Sequence, residues 1–116
     1  MTDEINPIFD NDALEKKFVV MTEVKKFAYP NHYHLIISFD HKWKKDPIQV
    51  LAHHELPLHE VVNYIRMVAK IGSGDSIILF CKDHMPPVTH ILDEIYYRYG
   101  KEKKLKFKCF RENTFG

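Results

Sequence analysis

The chain closes on Arg111, Glu112, Asn113, Thr114, Phe115 and Gly116. A glycine acyl group has no side chain to hinder attack by a thiol or an amine. A glycine tail also adopts the extended conformations that thread a narrow enzyme groove. The terminal carboxylate of Gly116 is therefore a candidate reactive group. The competing reading is an arbitrary terminus, since chain ends are often compositionally loose. Cys81 and Cys109 are the two cysteines. Each lies in an apolar run, where a thiol acts as a small hydrophobe. A catalytic thiol needs a base beside it, so both are read as core thiols of a reducing compartment, without a disulfide framework.

Eight histidines, His32, His34, His41, His53, His54, His59, His84 and His90, offer the commonest metal-ligating side chain. They scatter along the chain, and no acidic residue stands at a spacing such as H-E-x-x-H. No metal site and no cofactor are expected. The stretch His41 to Asp46, HKWKKD, places Trp43 among lysines. Such a stretch suits nucleic-acid stacking or membrane insertion, but it also suits a solvated loop, which is the reading adopted. The formal net charge of +1 gives no global field for nucleic acid, and no nucleic-acid partner is expected.

These residues must be positioned by a modest fold. The 116 residues fit one domain, and 45% hydrophobic with 28% charged content is that of a globular protein. No run approaches the ~20 apolar residues of a membrane span. The acidic start, MTDEINPIFDND, lacks a basic-then-apolar signal pattern. Leu14, Phe18, Met21, Val24 and Ala28 recur at helical spacing, predicting an amino-terminal helix ended by Pro30. Tyr33 to Phe39 reads as a strand, Asp40 to Asp46 as a charged turn, and Ile48 to Ala52 as a second strand in a hairpin. Leu58, Val61, Val62, Ile65 and Val68 form one stripe of a second helix that starts at Pro57 and stops at Gly72 and Gly74. Ser76 to Lys82 is the strongest strand signal. Pro86 and Pro87 lead into a short helix whose face carries Ile91, Leu92, Ile95, Tyr96 and Tyr99, ended by Gly100. Leu105, Phe107 and Cys109 alternate with lysines in a last strand. Ile65 and Phe80 are expected in the core. From its second element on, this order resembles an α+β ubiquitin-like β-grasp. In that fold a four-stranded mixed sheet wraps a central helix and its first and last strands lie side by side. An additional amino-terminal helix precedes it here. The expected divisions are an extension over 1–12, the domain over 13–110 and a conjugation tail over 111–116.

Four stretches, in this order, resemble one family: YPNHYHLII entering the first strand, NYIRMVAKI in the central helix, MPP before the short helix, and ENTFG at the end. The family is that of the autophagy ubiquitin-like modifiers, the GABARAP and microtubule-associated-protein light-chain group. The resemblance runs from about Leu14 to Gly116. It implies a non-enzymatic modifier whose terminal glycine is adenylated by an activating enzyme, carried as a thioester by a conjugating enzyme, and passed to phosphatidylethanolamine. It implies a cytoplasmic protein that joins the autophagosome membrane when lipidated. Cargo receptors with short aromatic-x-x-aliphatic motifs are its further implied partners. Such a peptide adds a strand to a sheet edge and drops side chains into flanking pockets.

By position, Gln49, Val50 and Leu51 match the pairing edge. Ala52, Leu56, Val61, Tyr64 and Ile65 match the aliphatic pocket, and Ile36 matches a wall of the aromatic pocket. The chain departs from the family at His32 and Gln49, where a basic residue is usual, and at His34 and His53, where prolines are usual. Lys104 stands where a large apolar residue approaches the aromatic pocket. With Lys106 and Lys108 it forms a row that cannot be buried unpaired. That face is expected to be open, answered by Glu15 and Glu23, or packed differently by the helix. Conjugation to a lysine of a partner protein, and a non-conjugated interaction domain, are the alternative functions.

Overall fold

Two strands far apart in sequence meet at the centre of this fold. The computed structural model describes residues 16–22 and 29–112. Strands β1 (Phe18–Val20), β2 (His32–Phe39) and β3 (Ile48–His53) precede helix α1 (Leu58–Val68). Strand β4 (Ser76–Phe80), helix α2 (Leu92–Tyr99) and strand β5 (Lys104–Glu112) follow. All five strands join one sheet in the order β1-β3-β2-β5-β4. β2 and β5 pair in parallel, with Leu35 opposite Leu105 and Ile37 opposite Phe107. The other pairs are antiparallel. The expected mixed sheet with its central parallel pair is present, with one strand more than the four expected.

Alternation explains the core. Leu35, Ile37, Val50, Ala52, Leu105, Phe107 and Cys109 point to one face and are buried against Leu58, Val61 and Ile65 of α1 and against Leu92 and Ile95 of α2. Residues between them point to the other face. There Lys104, Lys106 and Lys108 are exposed, while Glu15 and Glu23, expected as one possible answer to them, lie outside the described residues. Phe80 corrects an expectation. It follows Leu79 by one residue, so it takes the outer face and is only half-buried, while Leu79 is the core residue.

The amino-terminal helix is not formed over Phe18–Val20, which is a strand. Of the rest of that expected helix, 14–15 and 23–28 lie outside the described residues. Val19 and Val20 are β-branched and stiff at χ1, which disfavours helix and suits a pleated ladder. The bare edge of β3 supplies the hydrogen-bond partners. α1 also ends differently from expectation, before the glycines. Lys70 takes a left-handed conformation (φ 57°). The Ile71 amide then donates to the Arg66 carbonyl at 2.9 Å, and the Lys70 amide to the Met67 carbonyl at 3.4 Å. This is a Schellman closure with lysine in the place usually held by glycine. At its other end, the first α1 amides, Leu58 and His59, donate to the carbonyls of His90 and Val88 at 2.8 and 2.9 Å. The diproline loop thus caps the central helix. No helix among the described residues is long and apolar enough to cross a membrane.

Candidate functional site

The ten residues matched to peptide docking fall on both faces of β3 and its neighbours. Val50, Ala52, Val61 and Ile65 are fully buried and Leu56 nearly so, so they form the floor beneath any groove. Tyr64 is half-buried at the α1 surface. Gln49 lies on the outer face opposite Ile36, and Ile36 in turn lies opposite Lys106. Lys104 is exposed and lies opposite His34. His34 Nε2 meets Gln49 Oε1 at 2.9 Å, so two residues that depart from the family's usual types hold each other across the β2–β3 pair.

The outer edge of β3 carries β1. Phe18 pairs with Ala52, Val19 with Leu51, and Val20 with Val50. The His53 amide extends the ladder by donating to the Lys17 carbonyl at 2.9 Å. Directly opposite residues share a face, so Phe18 lies on the α1 side. There its ring stacks on Tyr64 with centroids 4.2 Å apart and planes at 17°. Val19 takes the other face and is only 1% exposed. His32 Nε2 donates to the Lys16 carbonyl at 2.6 Å, which fixes this buried ring with its proton on Nε2. Lys17 and Glu60 form an exposed ion pair at 3.4 Å. An aromatic pair contributes about 0.5–1.5 kcal/mol beyond burial, and an exposed ion pair at most about 1 kcal/mol. The strap is therefore held by its ladder and by Phe18 and Val19. Neither residue was recognised as strand in the sequence. The signal was the Phe-Val-Val run itself.

A polar network ties α2 to β2 and to the turn after β3. Tyr33 Oη donates to Asp93 Oδ1 at 2.5 Å, and His54 Nδ1 donates to Asp93 Oδ2 at 2.6 Å. Burial pushes the Asp93 carboxyl up, but hydrogen bonds from Tyr33 and His54 outweigh it and hold the group below its ordinary value. Burial, then the Asp93 hydrogen bond, push the Tyr33 phenol up. The Tyr33 ring stacks on Tyr96 at 4.3 Å. Tyr96 Oη accepts the Lys103 amide at 2.8 Å.

A crystal structure of Trypanosoma brucei ATG8 matches this arrangement with a TM-score of 0.64 at 20% sequence identity, over 75% of this chain and 78% of that one. The fold is ATG8-like. No family model matches the chain, and no curated protein matches it in sequence.

In this ATG8-like fold the remaining singled-out residues take structural places. Cys81 and Cys109 are buried, and burial pushes both thiols up to about 12. A thiol so protonated is a poor nucleophile. Trp43 is half-buried, edge-on to Phe39 at 5.6 Å, with the Arg111 guanidinium 5.0 Å over its ring. His53, His54 and Glu55 bring three ligand atoms within 4.8 Å of one another. Two of their imidazole nitrogens are engaged, since the Glu55 amide donates to His53 Nδ1 at 3.3 Å and His54 Nδ1 serves Asp93. Gly116 lies outside the described residues. β5 runs through Glu112, four positions before it.

Proposed function

We propose that this chain is a ubiquitin-like modifier of autophagy, conjugated through Gly116 to phosphatidylethanolamine and docking short peptide motifs of cargo receptors. The likeness of its sheet and helices to Trypanosoma brucei ATG8 carries the reading. β5, an interior strand of the sheet, leads the chain towards Phe115 and Gly116, the acyl group that the chemistry needs. The protein supplies that group and a rigid body for other proteins to grip, while an activating and a conjugating enzyme supply catalysis. Gln49, Val50 and Leu51 offer the pairing edge. Tyr64, with the floor of Ala52, Leu56, Val61 and Ile65, offers one pocket. Ile36, flanked by Lys104, offers the other. The chain works in the cytoplasm and on the autophagosome membrane.

The test is to incubate the chain with the activating and conjugating enzymes of the pathway and phosphatidylethanolamine vesicles, then measure the intact mass. A lipid adduct is expected for the unaltered chain and none for Gly116→Ala. An adduct that survives Gly116→Ala overturns the reading. An isopeptide to a partner protein in place of the lipid selects protein conjugation.

A further inference from the structure

We propose that β1 is a resident ligand of the β3 edge. By its register, the edge accepts from a partner an antiparallel strand with an aromatic residue followed directly by a β-branched one. This rests on the reading of the β3 edge as a docking site. A strand edge has one row of amides and carbonyls, so β1 and an incoming peptide exclude each other there. β1 occupies that row from Lys17 to Val20.

The seated strand displays what the site selects. Ala52, opposite Phe18, is a small residue on the floor and leaves room above it for a ring. Tyr64 supplies the flat surface on which that ring stacks at 4.2 Å. One position on, the chain alternates to the other face. Val19 fits there beside Leu51 at 1% exposure, in space suited to a short branched side chain. Two neighbouring residues thus fill sites on opposite faces. With Met21 the strap reads Phe-Val-Val-Met, which also satisfies aromatic-x-x-aliphatic spacing.

β1 is built to leave. It is three residues long, Val20 is 45% exposed, and its ion pair to Glu60 is exposed. Short edge strands open at lower cost than the strands of the sheet interior. An occupied edge lowers apparent affinity by the fraction of molecules in which it is free. A partner therefore binds weakly until something draws β1 away.

The probe is a fluorescent synthetic peptide of residues 16–22, KKFVVMT, titrated against the full chain by anisotropy. A scrambled peptide and an unrelated aromatic-x-x-aliphatic peptide are run beside it. Hydrogen-bonded pairs alternate in an antiparallel ladder. The Lys17–His53 bond therefore makes Val19–Leu51 the next bonded pair. Val19→Pro removes that bond and releases β1. Phe18→Ala removes the ring stacked on Tyr64 and so weakens the hold of β1 on the edge, and it supplies a second release variant should Val19→Pro not fold. The KKFVVMT peptide is expected to bind a release variant at least about tenfold tighter than the unaltered chain, the factor for an edge free in one molecule in ten. Amide shifts are expected at Leu51 and His53, and the scrambled peptide should not bind.

A release variant with native near-ultraviolet dichroism and no gain for KKFVVMT overturns the proposal. If the unrelated peptide binds neither protein while KKFVVMT gains, motif docking falls and the resident strand stands. If the unrelated peptide binds the unaltered chain and the variants equally, motif docking stands and the resident strand falls.

Discussion

Asp93 accepts from both Tyr33 and His54 and so ties α2 to β2 and to the turn after β3. Its folded carboxyl lies below its ordinary value, so the sign of its pH dependence is fixed. The stability it contributes is complete above the unfolded carboxylate value of ~3.9 and is lost as pH falls through the lower folded value. Urea midpoints of the unaltered chain and Asp93→Asn should differ by a constant amount from pH 7 to pH 5 and converge below about pH 4. A gap that persists at pH 2.5 would show that the carboxylate charge is not the source. Gly100 is needed for a different reason. Its φ is ordinary, but a Cβ there would overlap the Tyr96 ring that stacks on Tyr33. Gly100→Ala should cost about 1–3 kcal/mol, the usual range for overpacking, read from chemical denaturation. A loss below about 0.5 kcal/mol, the surface range, would show that the ring moves aside freely.

At the scale of elements, two tight turns carry strain. Lys82 and Asp83 (φ 47° and 69°), like Glu102 and Lys103 (φ 54° and 65°), place two successive non-glycine residues in the left-handed region. Each pair is closed by a bridge, Cys81 to His84 and Lys101 to Lys104. The hairpin turn with two positive φ angles favours Asn-Gly, and a left-handed L-residue costs roughly 1–2 kcal/mol. Lys82→Asn with Asp83→Gly should therefore raise stability by about 1 kcal/mol, visible as a higher denaturation midpoint. An unchanged or lower midpoint would mean that other contacts of Lys82 and Asp83 matter more than backbone strain.

The strands and helices from Tyr33 to Cys109 were legible because alternation and helical stripes mark them locally. β1 was not, because Phe18 and Met21 fit a helical stripe with Leu14 and Val24 as readily as Phe18 to Val20 fit a strand. Its pairing partner lies more than thirty positions away at β3, where no local pattern could point. The helix stop at Lys70 was hidden for a similar reason, since glycines two and four positions on gave a stronger but misplaced signal. In the site, the family resemblance matched Gln49, Val50 and Leu51 to a pairing edge, and nothing in the sequence pointed to β1 lying along it.

Over the whole molecule, charge is uneven although its sum is near zero. Lys104, Lys106 and Lys108 stand exposed on the outer face, and Lys106 and Lys108 line a hollow of about 670 Å3 with Lys82, Asp83, Phe80 and Phe110. β5 lies two strands from β3, about 10 Å at normal strand spacing. That is close to one Debye length, ~8 Å at physiological ionic strength. Peptides with carboxylates or phosphates before their aromatic residue should dock more tightly than neutral ones. The gain should be at most about fivefold, the equivalent of an exposed ion pair near 1 kcal/mol, and should vanish by 1 M salt, where the Debye length is ~3 Å. Anisotropy titrations of paired peptides at two salt concentrations measure it. Equal affinities at low salt would remove the lysine row from the docking surface.

The parallel pairing of β2 with β5 also governs how the protein comes into being. His34 and Lys104 are partners 70 positions apart. Closing a loop of that length must precede the contacts that reward it, which makes folding slow. Until β5 has emerged from the ribosome, β2 has one bare flank and β4 has no neighbour, since β4 pairs with β5. A nascent chain that ends at Tyr99 thus holds two apolar strands with unpaired edges, a state prone to aggregation. An interior strand, β5, is the last of the five described strands to be synthesised, so the sheet closes only once translation has passed it.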